Sequence, residues 1–147
     1  MITDVIAVKE NESLKNLFKI FDEAGILGAP VIDDSKFVIG VVTETDLIKH
    51  FTTMESPSSI NLLGGIVYLD DITDFNEHLK DHCAETVKDI MPDEAVTINE
   101  DDTLLDAINL MSENHVSRLP VVNKKTELVG IITRTDVMHQ LAKIKKI

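Results

Sequence analysis

Val129–Val137 reads VGIITRTDV, and Ile39–Leu47 reads IGVVTETDL. In each copy a run of β-branched apolar residues stops at Thr-x-Thr-Asp and gives way to an apolar-periodic segment, the pattern of a strand feeding a helix. Thr and Asp suit such a junction because their short side-chain oxygens accept hydrogen bonds from the unpaired amides of a first helical turn. Two readings of these polar residues are therefore open. Thr43, Thr45 and Asp46, like Thr133, Thr135 and Asp136, either cap helices or face a cleft where a carboxylate takes both hydroxyls of a ribose.

Working outward, the two stretches belong to a longer repeat. Leu14 matches Leu104, Pro30 and Val31 match Pro120 and Val121, Gly40 matches Gly130, and Asp46 matches Asp136, always at an offset of ninety positions. A constant offset leaves no room for an insertion between Met1/Met91 and His50/Gln140, so the unit is about fifty residues long.

Within the unit, Ile6–Val8 and Val96–Ile98 read as short strands, and Ser13 and Thr103 as helix N-caps. Leu14, Leu17, Phe18 and Phe21 then fall on one helical face, as do Leu104, Ala107, Ile108 and Met111. Two strands follow, Pro30–Asp33 with Val38–Thr43 and Pro120–Asn123 with Leu128–Thr133, and a last helix opens at Asp46 or Asp136. The order strand, helix, strand, strand, helix predicts an α+β fold. So small a unit buries too little surface to stand alone, so two copies should pack together. Packing through equivalent faces predicts a pseudo-twofold axis and two related clefts. The chain divides into a first repeat at 1–51, an acidic helical spacer at 52–84 and a second repeat at 85–147.

Composition narrows the function. With 44% hydrophobic and 27% charged residues, the chain has the makeup of a soluble globular protein. Its net charge of −12 repels phosphate backbones, which argues against nucleic-acid binding, and an anionic ligand would need a local basic pocket. The lone Cys83 cannot form an internal disulfide, and no leader or run of about 18 apolar residues marks export or a membrane span, so the expectation is a cytoplasmic protein.

The spacer reads as two short helices, Ile60–Leu69 and Phe75–Cys83, too apolar for a free linker and suited to cover an edge of the molecule or a dimer partner. His78 and His82 stand four apart beside Cys83, a spacing that permits two metal ligands. The residues between them are Leu, Lys and Asp, so the His-Glu-x-x-His pattern is absent, and solvated histidines are the plainer reading. No phosphate loop, Gly-x-Gly-x-x-Gly or Gly-x-Ser-x-Gly motif supports an enzyme. His115, Met111 and Met138 read as packing residues.

The doubled pattern, apolar-Pro-Val-apolar followed by Gly-apolar-apolar-Thr-x-x-Asp, resembles a tandem pair of CBS domains, a Bateman module. The resemblance covers residues 1–51 and 85–147. It implies a three-stranded sheet and two helices per repeat, and a regulatory module without catalysis. The implied ligand is an adenosine derivative, chiefly AMP, ADP or ATP and sometimes S-adenosylmethionine. It implies a homodimer too, and an enzyme or transporter as the regulated partner. Rival readings are a purely structural dimerisation module with empty clefts, or a metal protein using His78 and His82.

Carried onto this sequence, the resemblance gives Asp136 the ribose hydroxyls, turns Thr133 and Thr135 toward ribose and phosphate, and puts Arg118 of SRLPV on a phosphate, which its guanidinium can grip bidentately. Asp46, Thr43 and Thr45 form the secondary set. Gly28 stands where Arg118 stands and Glu44 where Arg134 stands, so the expectation is that the Asp136 cleft holds the cationic help and fills first. Met1 aligns with Met91, so the first repeat shows no counterpart of Thr86–Ile90, a lead-in that the resemblance implies walls the opposite cleft. Either the chain is trimmed or residues 1–6 do that work.

Overall fold

The computed structural model describes residues 1–52, 59–62, 65–68 and 85–144, and each half follows the expected order. The first half consists of β1 (Val8–Lys9), α1 (Leu14–Ala24), β2 (Gly28–Ile32), β3 (Val38–Thr43) and α2 (Glu44–Thr52). Then come β4 (Ser59–Leu62), β5 (Gly65–Tyr68) and a short helix α3 (Val87–Ile90). The second half repeats the plan as β6 (Ile98–Asn99), α4 (Leu104–Asn114), β7 (Arg118–Val122), β8 (Leu128–Thr133) and α5 (Arg134–Lys143).

Local chemistry sets the helix limits. Ser13 Oγ accepts from the Asn16 amide at 3.2 Å to open α1, and Thr103 Oγ1 accepts from the Asp106 amide at 3.2 Å to open α4. Leu14, Leu17 and Phe21 recur on one face and are buried, as are Ala107 and Met111 in the second helix. Gly25 ends α1 in the left-handed region at φ 62°, and His115, ninety positions on, ends α4 there at φ 54°.

Each half forms a three-stranded sheet, with β1 parallel to β2 and β2 antiparallel to β3, then β6, β7 and β8 likewise. The registers repeat the offset of ninety: Gly28 pairs with Thr43 as Arg118 pairs with Thr133, and Val31 with Gly40 as Val121 with Gly130. Strands β2 and β7 begin two residues before Pro30 and Pro120. The proline fits because the parallel ladder reaches only Val31 and Ile32, leaving Pro30 beyond its end. Strands β1 and β6 form later than Ile6 and Val96 for the same reason: only Val8–Lys9 and Ile98–Asn99 meet a partner strand. The residues just before them wall clefts instead.

The spacer corrects one expectation. Ile60–Leu69 is not a helix over its described residues: Ser59–Leu62 pairs antiparallel with Gly65–Tyr68, joining Ile60 to Val67 and Leu62 to Gly65. Glycines at 64 and 65 each cost a helix interior about 1 kcal/mol, while Ile60, Ile66, Val67 and Tyr68 favour a pleated strand. Phe75–Cys83, with His78, His82 and Cys83, lies outside the described residues.

The halves complete each other across their sequence boundary. Helix α3 lies in the lead-in of the second repeat, yet Val87 is 0% exposed within the first core, beside Leu14, Leu17, Val31 and Val42. Backbone bonds hold it there: the Val87 amide donates to the Glu12 carbonyl, Lys88 to Glu10, and Leu14 to Glu85, each at 2.9 Å. In return, Ile2 exchanges two backbone bonds of 3.0 Å with Ile131 on β8. Met1 and Met91 extend the exchange, because a Cβ on Gly130 would meet Met1 Sδ at 2.6 Å and a Cβ on Gly40 would meet Met91 Sδ at 2.8 Å. The β2–β3 and β7–β8 turns also touch, with the Leu128 amide donating to the Lys36 carbonyl at 3.1 Å.

Candidate functional site

The strand-to-helix junctions are capped. The Thr43 amide and hydroxyl donate to Asp46 Oδ2 at 2.8 and 3.1 Å, and the Thr133 amide and hydroxyl donate to Asp136 Oδ2 at 2.7 and 2.8 Å. Thr is the residue before the first turn and Asp is its third residue, so α2 and α5 open at Glu44 and Arg134, two positions before the expected start. Capping and ligand binding are compatible here. Both carboxylates are half-buried, and each uses Oδ2 for the cap, with no described residue bonding Oδ1. The exposed Thr45 and Thr135 sit one position earlier on the same turn.

Two clefts lie against these junctions. The larger, about 530 Å³, brings Thr43, Thr45 and Asp46 of the first repeat against Arg118 and Arg134 of the second. Its volume falls in the range of small-molecule sites. The smaller, about 310 Å³, places Thr133 and Thr135 against Asp4, Leu27 and Gly28, with Arg118 again on its wall. Val5 and Ile6 line this smaller cleft. Their counterpart region, at Val96, lines the larger one. Asp136 is not among the residues lining the smaller cleft.

Arg118 opens β7 half-buried, and its guanidinium lies in the space that a Cβ on Gly28 would fill. Burial lowers its pKa, while the carboxylates of Glu44 and Asp46 act the other way and favour the cation. Its Nε and Glu44 Oε2 are both buried without a hydrogen-bond partner. A guanidinium does not shed its charge in such a setting, so this buried donor lacks the acceptor that a buried N–H normally has.

The cations are shared out differently from the sequence expectation. Arg118 and Arg134 were expected in the cleft of their own repeat; in the structure Arg118 lines both clefts and Arg134 only the Asp46 cleft, and the acids that act on Arg118 electrostatically are Glu44 and Asp46. The reason is the pseudo-twofold packing: each cleft joins the junction of one repeat to the loop before the middle strand of the other. Glu44 and Lys49, on the wall of the larger cleft, and Asp4, on that of the smaller, were missed as site residues. The repeat offset was the available signal for them, because a twofold axis sets the junction of each copy against the loops of the other. Beside the cleft, His50 Nε2 lies 2.6 Å from Glu85 Oε2, tying α2 to the segment that leads into α3. Among the described residues, no group of three or more His, Cys, Asp or Glu could hold a metal ion. No described helix is long and apolar enough to cross a membrane.

Comparison with known proteins gives a consistent picture. A profile of the CBS domain matches residues 1–53 and 87–143. The uncharacterized protein MJ1426 of Methanocaldococcus jannaschii is 30% identical over 143 residues, which cover 92% of this chain and 85% of that protein. An inosine-5'-monophosphate dehydrogenase of Halobacterium salinarum is 26% identical over 93% of this chain, which spans only 22% of that enzyme's length. Among solved structures, CBSX2 of Arabidopsis thaliana in complex with AMP superposes with a TM-score of 0.71 at 25% identity, covering 97% of this chain and 91% of that one.

Proposed function

The chain belongs to the CBS domain family, and from that premise we propose that it is a regulatory module holding an adenine nucleotide, AMP, ADP or ATP, between its two repeats, with no catalysis of its own. One observation carries the reading: a cleft of about 530 Å³ presents Thr43, Thr45 and Asp46 opposite Arg118 and Arg134. In it, Asp46 Oδ1 accepts from the ribose hydroxyls, Thr43 and Thr45 flank the sugar, and the two guanidinium groups take the phosphate through charge-assisted bonds. These cations supply what an acidic protein otherwise lacks for an anion. The AMP complex of CBSX2 supports the ligand class. The Thr133 and Thr135 cleft, beside the cap made by Asp136, is the second, weaker site, because Arg118 is the only cation on its wall among the described residues.

The same proposal includes a cytoplasmic homodimer that controls an enzyme or transporter. Exposed apolar side chains on three helices, Ile48 at 60%, Leu105 at 64% and Met138 at 61%, are the candidates for contact with a second copy. Thermal melting with AMP, ADP, ATP, S-adenosylmethionine and zinc tests the reading, since a ligand that prefers the folded state raises the Tm. A rise with an adenine nucleotide is expected. No rise with any nucleotide would favour a structural module, and a rise with zinc alone would favour the metal reading.

A further inference from the structure

One side chain serves both clefts. Arg118 lines the larger one with Thr43 and Asp46 and the smaller one with Thr133 and Thr135. It can do so because Gly28 has no side chain between it and the smaller cleft; the guanidinium crosses the spot where a Cβ would stand. No protein acceptor pins its Nε, which is buried without a partner. The two clefts differ in how many cations they hold. Arg134 and Lys49 line the larger beside Arg118, together with the acids Glu44, Asp46 and Glu94, whereas the smaller has Asp4 and no further cation among its described walls.

We propose that Arg118 is a shared cation that makes the two clefts antagonistic toward phosphorylated ligands, so that a phosphate held in one cleft takes the guanidinium and weakens the other. The inference rests on the nucleotide-binding reading above. A single positive charge cannot neutralise two phosphate groups, each carrying about −1.5 to −2 near neutral pH. The chain's net charge of −12 supplies no distant compensation. The larger cleft keeps Arg134 when it fills, so the loss falls on the smaller. Nothing in this argument touches an uncharged nucleoside, which makes no claim on Arg118. The chain would then carry one phosphorylated ligand at moderate concentration while remaining able to hold a nucleoside in its second cleft.

The test measures the smaller cleft with the larger one full and with it emptied. Amide NMR signals of Thr45 and Thr135 report the two clefts separately during titration with AMP or adenosine. In Asp46→Ala, at AMP concentrations that leave its weakened larger cleft unfilled, the Thr135 cleft should take AMP about tenfold more tightly than in the wild-type protein with its larger cleft filled, a coupling of about 1.4 kcal/mol. For adenosine the same comparison should differ by less than about twofold. Placed on an Arg118→Met background, Asp46→Ala should change AMP binding at Thr135 by less than about twofold, which separates the shared side chain from a general loss of negative charge. Equal AMP affinity in the presence and absence of Asp46, an equal change for adenosine, or coupling that survives Arg118→Met would each overturn the inference while leaving nucleotide binding in place. A protein in which neither ligand moves the Thr45 or Thr135 signals removes the nucleotide reading itself, and this inference with it.

Discussion

The guanidinium of Arg118 occupies the space that a Cβ on Gly28 would fill, although the two residues are counterparts ninety positions apart in a repeated sequence. The repeats thus fit by being unlike at this point. Arg118 in one copy extends over the axis because the other copy offers only backbone there. Two arginines would place two positive charges in one small volume, and two glycines would leave both clefts without the cation.

Gly28→Ala should therefore act on the ligand more than on the fold. The obstacle to the new methyl group is the far end of a flexible side chain, and Gly28 is an ordinary extended residue of β2. The Tm should stay within about 2 °C of the wild type, while displacement of the guanidinium should weaken AMP at least about threefold and adenosine by less than about twofold. Calorimetry with both ligands checks this. A large loss of Tm, or equal losses for the two ligands, would count against the placement of Arg118 on phosphate.

Asp46 should matter more than Asp136 for the tighter site. A charge-assisted hydrogen bond is worth about 1.5–3 kcal/mol, so Asp46→Asn, which keeps a cap acceptor for the Thr43 amide, should weaken AMP by about tenfold to a hundredfold. Asp136→Asn should leave that first binding step within about threefold. The ranking reverses if calorimetry finds the larger loss in Asp136→Asn.

Val87→Ala tests whether the lead-in helix belongs to the first core. Val87 is fully buried there, and removing its branched end should cost about 2 kcal/mol through lost burial and the cavity left behind. Urea unfolding should show a lower midpoint with an unchanged slope. A change near zero would mean that α3 contributes nothing to the first half.

The pH response of the caps follows from the carboxylates. The Thr103 hydroxyl and amide both donate to Asp106, at 2.6 and 2.8 Å, and hold its carboxyl below the usual value of 3.8. A folded-state pKa lowered in this way adds stability above about pH 4, and the contribution is lost as pH falls through the lowered value. Thr103→Ala should lower the Tm by about 2–4 °C at neutral pH, as expected for loss of a helix N-cap. The gap should narrow below about pH 4. A gap that widens in acid would show that Asp106 is not stabilised by this cap.

Much of the fold is legible in the residues. The offset of ninety, the helix faces starting at Leu14 and Leu104, the caps at Ser13 and Thr103 and the junctions at Thr43 and Thr133 depend on periodicity and short-range hydrogen bonds, which a sequence states directly. The misreadings arise where a distant partner decides. Strand β1 starts at Val8 because Val31 is its partner, and the apolar run from Ile60 is extended because Ser59–Leu62 and Gly65–Tyr68 pair with each other.

For the site the division is sharper. The sequence by itself determined which residues can carry chemistry: paired Thr-x-Thr-Asp junctions, an Arg at 118 where the other copy has Gly28, and an Arg at 134 where it has Glu44. Only the tertiary structure decided which of them share a cleft, placing Arg118 and Arg134 with Asp46 and setting Val87 into the opposite core. The physical reason is that side-chain identity and local hydrogen bonding are properties of neighbours along the chain. The grouping of charges follows instead from the packing of two apolar faces around an axis, which turns each repeat's junction toward the other repeat's loops.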